Sequence, residues 1–250
     1  IVFMSSAYLK EKNPAYIIYK EINGIERKLA ASPKVLEAAK KHFNCQDLEG
    51  VEYENQGGQG TAGEHWEARV MLGDFMVGEA YEEIAISEIS LALMEDLGWY
   101  KTRPYTGGLF RFGKNKGCDF LTKKCIGSTD NESKLDEFCH TADQQVCTAG
   151  RHVKGICSIN SAEQGDTVNP LFAYFKDKTL VGYENADRCP LAQILDTYTA
   201  LWEGSCKWGK SQYDFEKIGG NSGCFVTNLS NSGSKNQYAA CYEYVCDFPN

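Results

Sequence analysis

The chain has 250 residues, of which 42% are apolar, 24% charged and 12% aromatic, a globular composition that excludes disordered and fibrous classes. Twenty-six Lys and Arg against 34 Asp and Glu leave a formal charge of −8, which makes nucleic acid and anionic membrane poor partners. No run of about 18 apolar residues occurs, so the chain contains no transmembrane segment of the helical kind.

The sequence opens on Ile1-Val2-Phe3-Met4, with no initiator Met and no signal peptide. Residues 1–100 hold a single cysteine, Cys45, and carry helical signals. Ser32 before Pro33 reads as an N-cap with Pro at N1, opening an amphipathic helix through Val35, Leu36, Ala39 and Phe43. Gly50 to Gly63 reads as a short extended piece, Val51-Glu52-Tyr53, and then a glycine-rich loop. Between Glu82 and Leu97, Ile86, Ile89, Leu93 and Leu97 recur at helical spacing, and Gly98 stops the run. Trp66 and Trp99 read as core. From residue 101 onward the pattern is short strands, loops and turns, with one helical candidate at Leu191 to Trp202. The expected class is α+β, with a boundary near residue 101 separating region 1–100 from a disulfide-rich, loop- and strand-dominated domain over 101–250.

Ten of the eleven cysteines fall between Cys118 and Cys246, and no C-x-x-C pair occurs. That density suits crosslinked loops and an extracellular or cell-surface setting rather than a zinc ribbon or redox motif. The sequons at Asn131 and Asn228 agree with that compartment as glycosylation sites. Because eleven is odd, one thiol is free or its partner lies outside this chain.

Gly58-Gln59-Gly60-Thr61-Ala62-Gly63 satisfies G-x-G-x-x-G literally. A dinucleotide site needs that pattern after a buried parallel strand, and Glu52-Tyr53-Glu54-Asn55-Gln56 is too polar for one. No G-x-S-x-G elbow occurs. The four histidines are His42, His65, His140 and His152. His65 stands apart: a flexible glycine loop presents it, and Met76 follows in a turn bracketed by Gly73 and Gly78. That order resembles the downstream half of a metzincin zinc site. Glu64 and Glu67 flank His65 and read as solvated carboxylates or as groups behind the metal's ligands, with the edge of a substrate cleft as the alternative.

Several ordered stretches then resemble leishmanolysin-type zinc metallopeptidases. They are Ser32-Pro33-Lys34-Val35-Leu36-Glu37, His42-Phe43-Asn44-Cys45, Leu48-Glu49-Gly50-Val51-Glu52 and Glu54-Asn55-Gln56-Gly57-Gly58. They continue through Gly60-Thr61-Ala62-Gly63, His65-Trp66-Glu67, Phe75-Met76, Asp96-Leu97-Gly98-Trp99-Tyr100 and Gly117-Cys118-Asp119-Phe120. The resemblance implies that His65 is the third zinc-binding histidine and Met76 the Met-turn residue beneath the metal. It also implies five bridges: Cys45–Cys118, Cys125–Cys189, Cys139–Cys157, Cys147–Cys224 and Cys206–Cys241, leaving Cys246 to pair further toward the C-terminus.

A catalytic zinc needs three protein ligands, an open position and a carboxylate to take a proton from water. The family supplies two histidines and that glutamate through H-E-x-x-H, which occurs nowhere in these 250 residues. Ser5-Ser6-Ala7-Tyr8-Leu9 resembles the stretch just after that motif, so the second histidine falls immediately before Ile1. The expectation is the C-terminal portion of a zinc endopeptidase acting on polypeptide substrates. It holds one zinc ion, mostly through residues outside this chain, and contains no catalytic residue itself. Phe3 stands where the family usually has Gly, which keeps open an alternative: an inactive extracellular adhesion or assembly protein on the same scaffold.

Overall fold

The computed structural model describes residues 4–79, 81, 83–103, 108–126, 137–162, 168–194, 203–229 and 238–245. Phe3, Asn131, Cys246 and residues 195–202 of the helical candidate lie outside them. The chain forms two compact units, Ile1–Glu137 with Ser161–Cys189, and Phe138–Asn160 with Pro190–Asn250. These units are cut differently from the cysteine-poor and cysteine-rich regions of the sequence. The class is α+β and disulfide-rich.

In the first unit, α1 (Ser6–Lys12) leads into a hairpin of β1 (Ile17–Ile22) and β2 (Ile25–Ala30). Its register runs from Ile22 opposite Ile25 to Ile17 opposite Ala30. The two-residue turn is Asn23-Gly24, both at positive φ (54° and 80°), the conformation whose twist matches paired strands. The short strand β3 (Val51–Glu52) adds antiparallel to β2, completing a three-stranded sheet.

Helix α2 (Pro33–Phe43) begins where the Ser32-Pro33 signal puts it and ends at Asn44 in the left-handed region. Ser32 occupies the cap position, but its side chain does not cap. Asp96 does so from the far end of α4 (Glu88–Asp96), accepting from Lys34 N at 2.9 Å and Val35 N at 3.1 Å. A carboxylate at a helix N-terminus is also favoured by the helix dipole. Helix α4 starts later than the apolar spacing predicts, because Ser87 caps it by accepting from Ser90 N. Val35, Ala39 and Phe43 of α2 and Ile89 and Leu93 of α4 are buried where the two helices pack.

Trp66 is buried and stacks on Tyr53, as expected of a core residue. Trp99 is not core: it is 49% exposed and packs edge-on against Tyr8. It lies past the Gly98 stop, where α4 no longer carries side chains inward. Two short helices complete the parts used below, α3 (Ala68–Met71) and α5 (Cys118–Thr122). Cys45–Cys118 and Cys125–Cys189 staple this unit. Closing the 73-residue separation of Cys45–Cys118 is worth about 4 kcal/mol in the chain-entropy account.

The second unit has little apolar core apart from its crosslinks. Strands Gln145–Cys147, Lys154–Cys157 and Ala192–Gln193 form one antiparallel sheet, so the described start of the Leu191–Trp202 candidate is strand rather than helix. Strands Ser222–Thr227 and Tyr238–Glu243 form a ribbon with Cys224 opposite Cys241. Cys147–Cys224 and Cys206–Cys241 fill the space inside, and Cys139–Cys157 ties the sheet's margin. The exposed Asn228 follows the first ribbon strand directly. Among the described residues no helix is long and apolar enough to cross a membrane.

One clip of the first unit makes its stability acid-sensitive. Lys34 Nζ, then the N–H and hydroxyl of Thr102, donate to Glu95 and hold its pKa down to about 2. A depressed carboxylate stabilises the fold fully above its unfolded value, near 4.5, and loses that contribution as pH falls through 2. Urea unfolding from pH 5 to pH 2 is expected to show a smaller acid loss in Glu95→Gln than in the parent. An equal loss in both would contradict the clip.

Candidate metal centre

The strand end at Glu52-Tyr53 feeds the glycine loop, and Gly57, Gly58, Gly60 and Gly63 all take positive φ between 69° and 90°. That bears out the loop reading of this stretch: glycine carries such angles without the Cβ clash other residues suffer. The loop is closed by backbone bonds at its base: Glu54 N donates to His65 O (2.8 Å) and Gly63 N to Glu54 O (2.8 Å). The start of α1 lies against it, with Ser6 N donating to Gly63 O at 3.1 Å.

His65 is half-buried, and its Nδ1 lies 3.2 Å from the carbonyl oxygen of Met76. The same oxygen accepts from Trp66 N at 3.0 Å, and Trp66 bridges to Val77. One carbonyl therefore joins the histidine to the Met76 turn. Gly78 permits the approach: a Cβ there would stand 2.7 Å from Thr61 Cγ2 and 3.9 Å from His65 Cγ.

The turn itself is shaped by Asp74, a buried carboxylate. It accepts from Met76 N (2.7 Å), Ser87 N (3.0 Å) and the Ser90 hydroxyl (2.8 Å), which in turn accepts from Trp66 Nε1 (2.8 Å). Burial pushes the Asp74 pKa up, and the Ser87, Met76 and Ser90 donors pull it back toward the ionised form. Met76 is wholly buried.

His42, the other histidine of the first unit, is engaged elsewhere in it. His42 Nε2 bonds to Phe112 O (2.8 Å) and the ring stacks on Phe110, with burial lowering its pKa. His140 and His152 are exposed in the second unit. Glu64 is exposed, whereas Glu67 is fully buried and is therefore not a solvated carboxylate.

Glu67 belongs to a buried acidic cluster that the sequence gives no sign of. Among the described residues, Glu52, Glu67 and Asp187 are the group whose oxygens lie close enough together to share a cation, within 4.8 Å. The cation present is Arg27: its guanidinium meets Asp187 at 2.6 and 3.2 Å, Glu52 at 3.7 Å and Glu67 at 3.8 Å. Burial opposes the charge on Arg27, yet Glu52 and Asp187 more than offset this and hold its pKa above the ordinary value. Burial, then the charges of Asp187, Glu54 and Glu52, hold Glu67 well above the usual carboxylate range. Glu54 is pushed up to about 7, first by burial, with Gln56 N–H pulling down and Asp187 pushing up.

One backbone carbonyl thus brings together a glycine loop carrying His65 and a turn carrying Met76. The family model described as leishmanolysin matches residues 14–249. The chain belongs to the leishmanolysin family of peptidases. A leishmanolysin-like peptidase of Caenorhabditis elegans is 30% identical over 259 aligned residues, covering 87% of this chain and 38% of the relative. A leishmanolysin-like peptidase of Drosophila melanogaster is 34% identical, covering 52% of this chain and 20% of its own length. Leishmanolysin of Leishmania donovani is 30% identical, covering 67% and 27%. The chain thus spans well under half the length of the relatives it matches.

Removing the Asp74 carboxylate leaves the amides of Met76 and Ser87 buried without their acceptor. Asp74→Ala is expected to cost about 3 kcal/mol in urea unfolding, from two orphaned donors. A loss below about 0.5 kcal/mol, the scale of ordinary surface substitutions, would contradict this.

Proposed function

We propose that His65 supplies one imidazole to the catalytic zinc of a leishmanolysin-type endopeptidase acting on extracellular polypeptides. The two remaining histidines and the glutamate that takes a proton from water belong, in this reading, to an H-E-x-x-H segment preceding Ile1. The observation that carries the reading is the His65 Nδ1 contact with the Met76 carbonyl oxygen. Zinc-ligating histidines commonly donate one ring N–H to a backbone carbonyl, which fixes the tautomer and aims the other nitrogen. Here Nδ1–H is the donor and Nε2 is the nitrogen left for a metal.

The residues present fit the metal as one ligand of three, with Met76 as packing support. When bound, zinc supplies Lewis-acid polarisation of the scissile carbonyl and lowers the pKa of its water. This chain's part is to hold the third imidazole still. Trp66 N and His65 Nδ1 share one acceptor, Asp74 fixes the turn that carries it, and Gly78 leaves room for Thr61 of the glycine loop. Five disulfides and the exposed sequon at Asn228 support an extracellular or cell-surface setting with glycosylation there. The departure at Phe3 supports a second reading, an inactive adhesion or assembly protein on the same scaffold.

The test is zinc content and peptide hydrolysis of the protein at its natural length, parent against His65→Ala, with His42→Ala as control. The zinc reading expects stoichiometric metal, and loss of both metal and hydrolysis in His65→Ala alone. Zinc content unchanged by His65→Ala would contradict it, and a parent without zinc or hydrolysis would favour the inactive scaffold. The 250-residue segment alone is expected to bind zinc weakly and hydrolyse nothing.

A further inference from the structure

We infer that Asp187 is a positioning residue for the His65 loop, clamping its base while the turn that carries Asp187 braces the chain just past Met76. The inference rests on the zinc reading above for its consequence, and on the geometry of the first unit for its mechanism.

The loop needs an external restraint. Four of the seven residues from Gly57 to Gly63 are glycines at positive φ, and glycine loses the most backbone freedom on being ordered. Asp187 supplies the restraint from 131 residues further along the chain than Gln56. Its Oδ1 accepts from Asn55 Nδ2 (3.2 Å) and Gln56 Nε2 (3.2 Å), the two residues just before the first loop glycine. The same Asn55 amide donates to Glu67 Oε2 at 2.6 Å, so the residues before and after the loop are joined through side chains. Arg27 completes the clamp by donating to both Asp187 oxygens from β2.

The turn holding Asp187 is itself built under strain. Asp187 and Arg188 both take positive φ (54° and 59°), a region costly to residues other than glycine and best tolerated by Asn and Asp. Gly182 makes the turn possible, since a Cβ there would stand 2.4 Å from the Cys189 backbone. Tyr183 N bonds to Cys189 O across the turn, and Cys189 is covalently tied to Cys125. From this anchored turn Asn185 donates to Glu79, and Tyr183 meets Tyr81 edge-on at 6.0 Å. One seven-residue turn thus holds both chain segments that converge on the Met76 carbonyl: the base of the histidine loop and the stretch after the methionine turn.

Loosening this clamp lets the imidazole sample orientations that do not bind metal, and apparent affinity falls with the competent fraction. The experiment uses the protein at its natural length and two variants, Asp187→Ala and the milder Asn55→Ala/Gln56→Ala, which leaves the Arg27–Asp187 pair intact. Zinc affinity is read by competition with a chromophoric chelator, and loop opening by hydrogen exchange of the Gly63 and Trp66 amides. Both variants are expected to weaken zinc by about 10-fold, the low end for groups behind a ligand, and to speed both amides at least as much. Asp96→Ala, which uncaps α2 away from the loop, controls for lost stability alone and should move neither readout. Unchanged affinity and exchange in Asn55→Ala/Gln56→Ala, or equal effects in Asp96→Ala, would overturn the clamp. Parent zinc affinity indifferent to His65→Ala would sink the zinc reading instead, and hydrogen exchange would still decide the clamp.

Discussion

The carbonyl oxygen of Met76 is the point on which the rest of the first unit's site depends. It takes the backbone N–H of Trp66 and the ring of His65 at once, using the two lone pairs a carbonyl offers. Everything around it serves to keep those two donors and that acceptor in register. Asp74 sets the turn behind the oxygen, and the Trp66 indole reaches the same carboxylate through Ser90. A histidine held this way has little left to reorganise when a ligand arrives, and that is where a loop-borne side chain ordinarily loses affinity.

Burying this much negative charge is expensive, and the structure shows how the cost is met. Glu52, Glu54, Glu67 and Asp187 are all buried, with Arg27 threaded among them and Arg69 capping the α5 carbonyls nearby. Burial raises the pKa of Glu52, Glu54 and Glu67, with Asp187 adding to the rise, and Arg27 lies against Glu52, Glu67 and Asp187 as the compensating cation. Taking Arg27 from this set leaves buried carboxylates without their cation, and breaking a buried ion pair in that way commonly costs about 3–5 kcal/mol, as much as a whole disulfide contributes. The cluster therefore fixes a unique arrangement in a region whose backbone, being glycine-rich, does not fix itself.

Some of this was legible in the residues and some was not, for identifiable reasons. Ser32-Pro33 marks a helix start because Pro fits only the first turn, and it does so even though the capping is done by Asp96. The glycine loop was legible because glycine takes those angles at no steric cost. The hairpin of β1 and β2 carried a clear turn signal, Asn23-Gly24 between Ile22 and Ile25, which helical expectations over residues 1–100 passed over. The polar run Glu52 to Gln56 excluded a central parallel strand correctly. It did not disclose that Glu52 and Glu54 are buried, because Arg27, the cation facing Glu52, lies on another strand, and Glu54 is met by the nearby Gln56 backbone N–H. Trp99 shows the same limit from the apolar side: a large ring just past a helix stop reads as core only until the chain direction is known.

The tautomer of His65 tests the central claim most directly. Long-range 1H–15N correlation on the 15N-labelled protein at pH 8, without metal, distinguishes a proton on Nδ1 from one on Nε2. A carbonyl acceptor can be served only by the former. Cadmium-113 substitution should then show scalar coupling to Nε2 of that ring. A neutral ring protonated at Nε2, or coupling to Nδ1, would contradict the geometry on which the whole assignment stands.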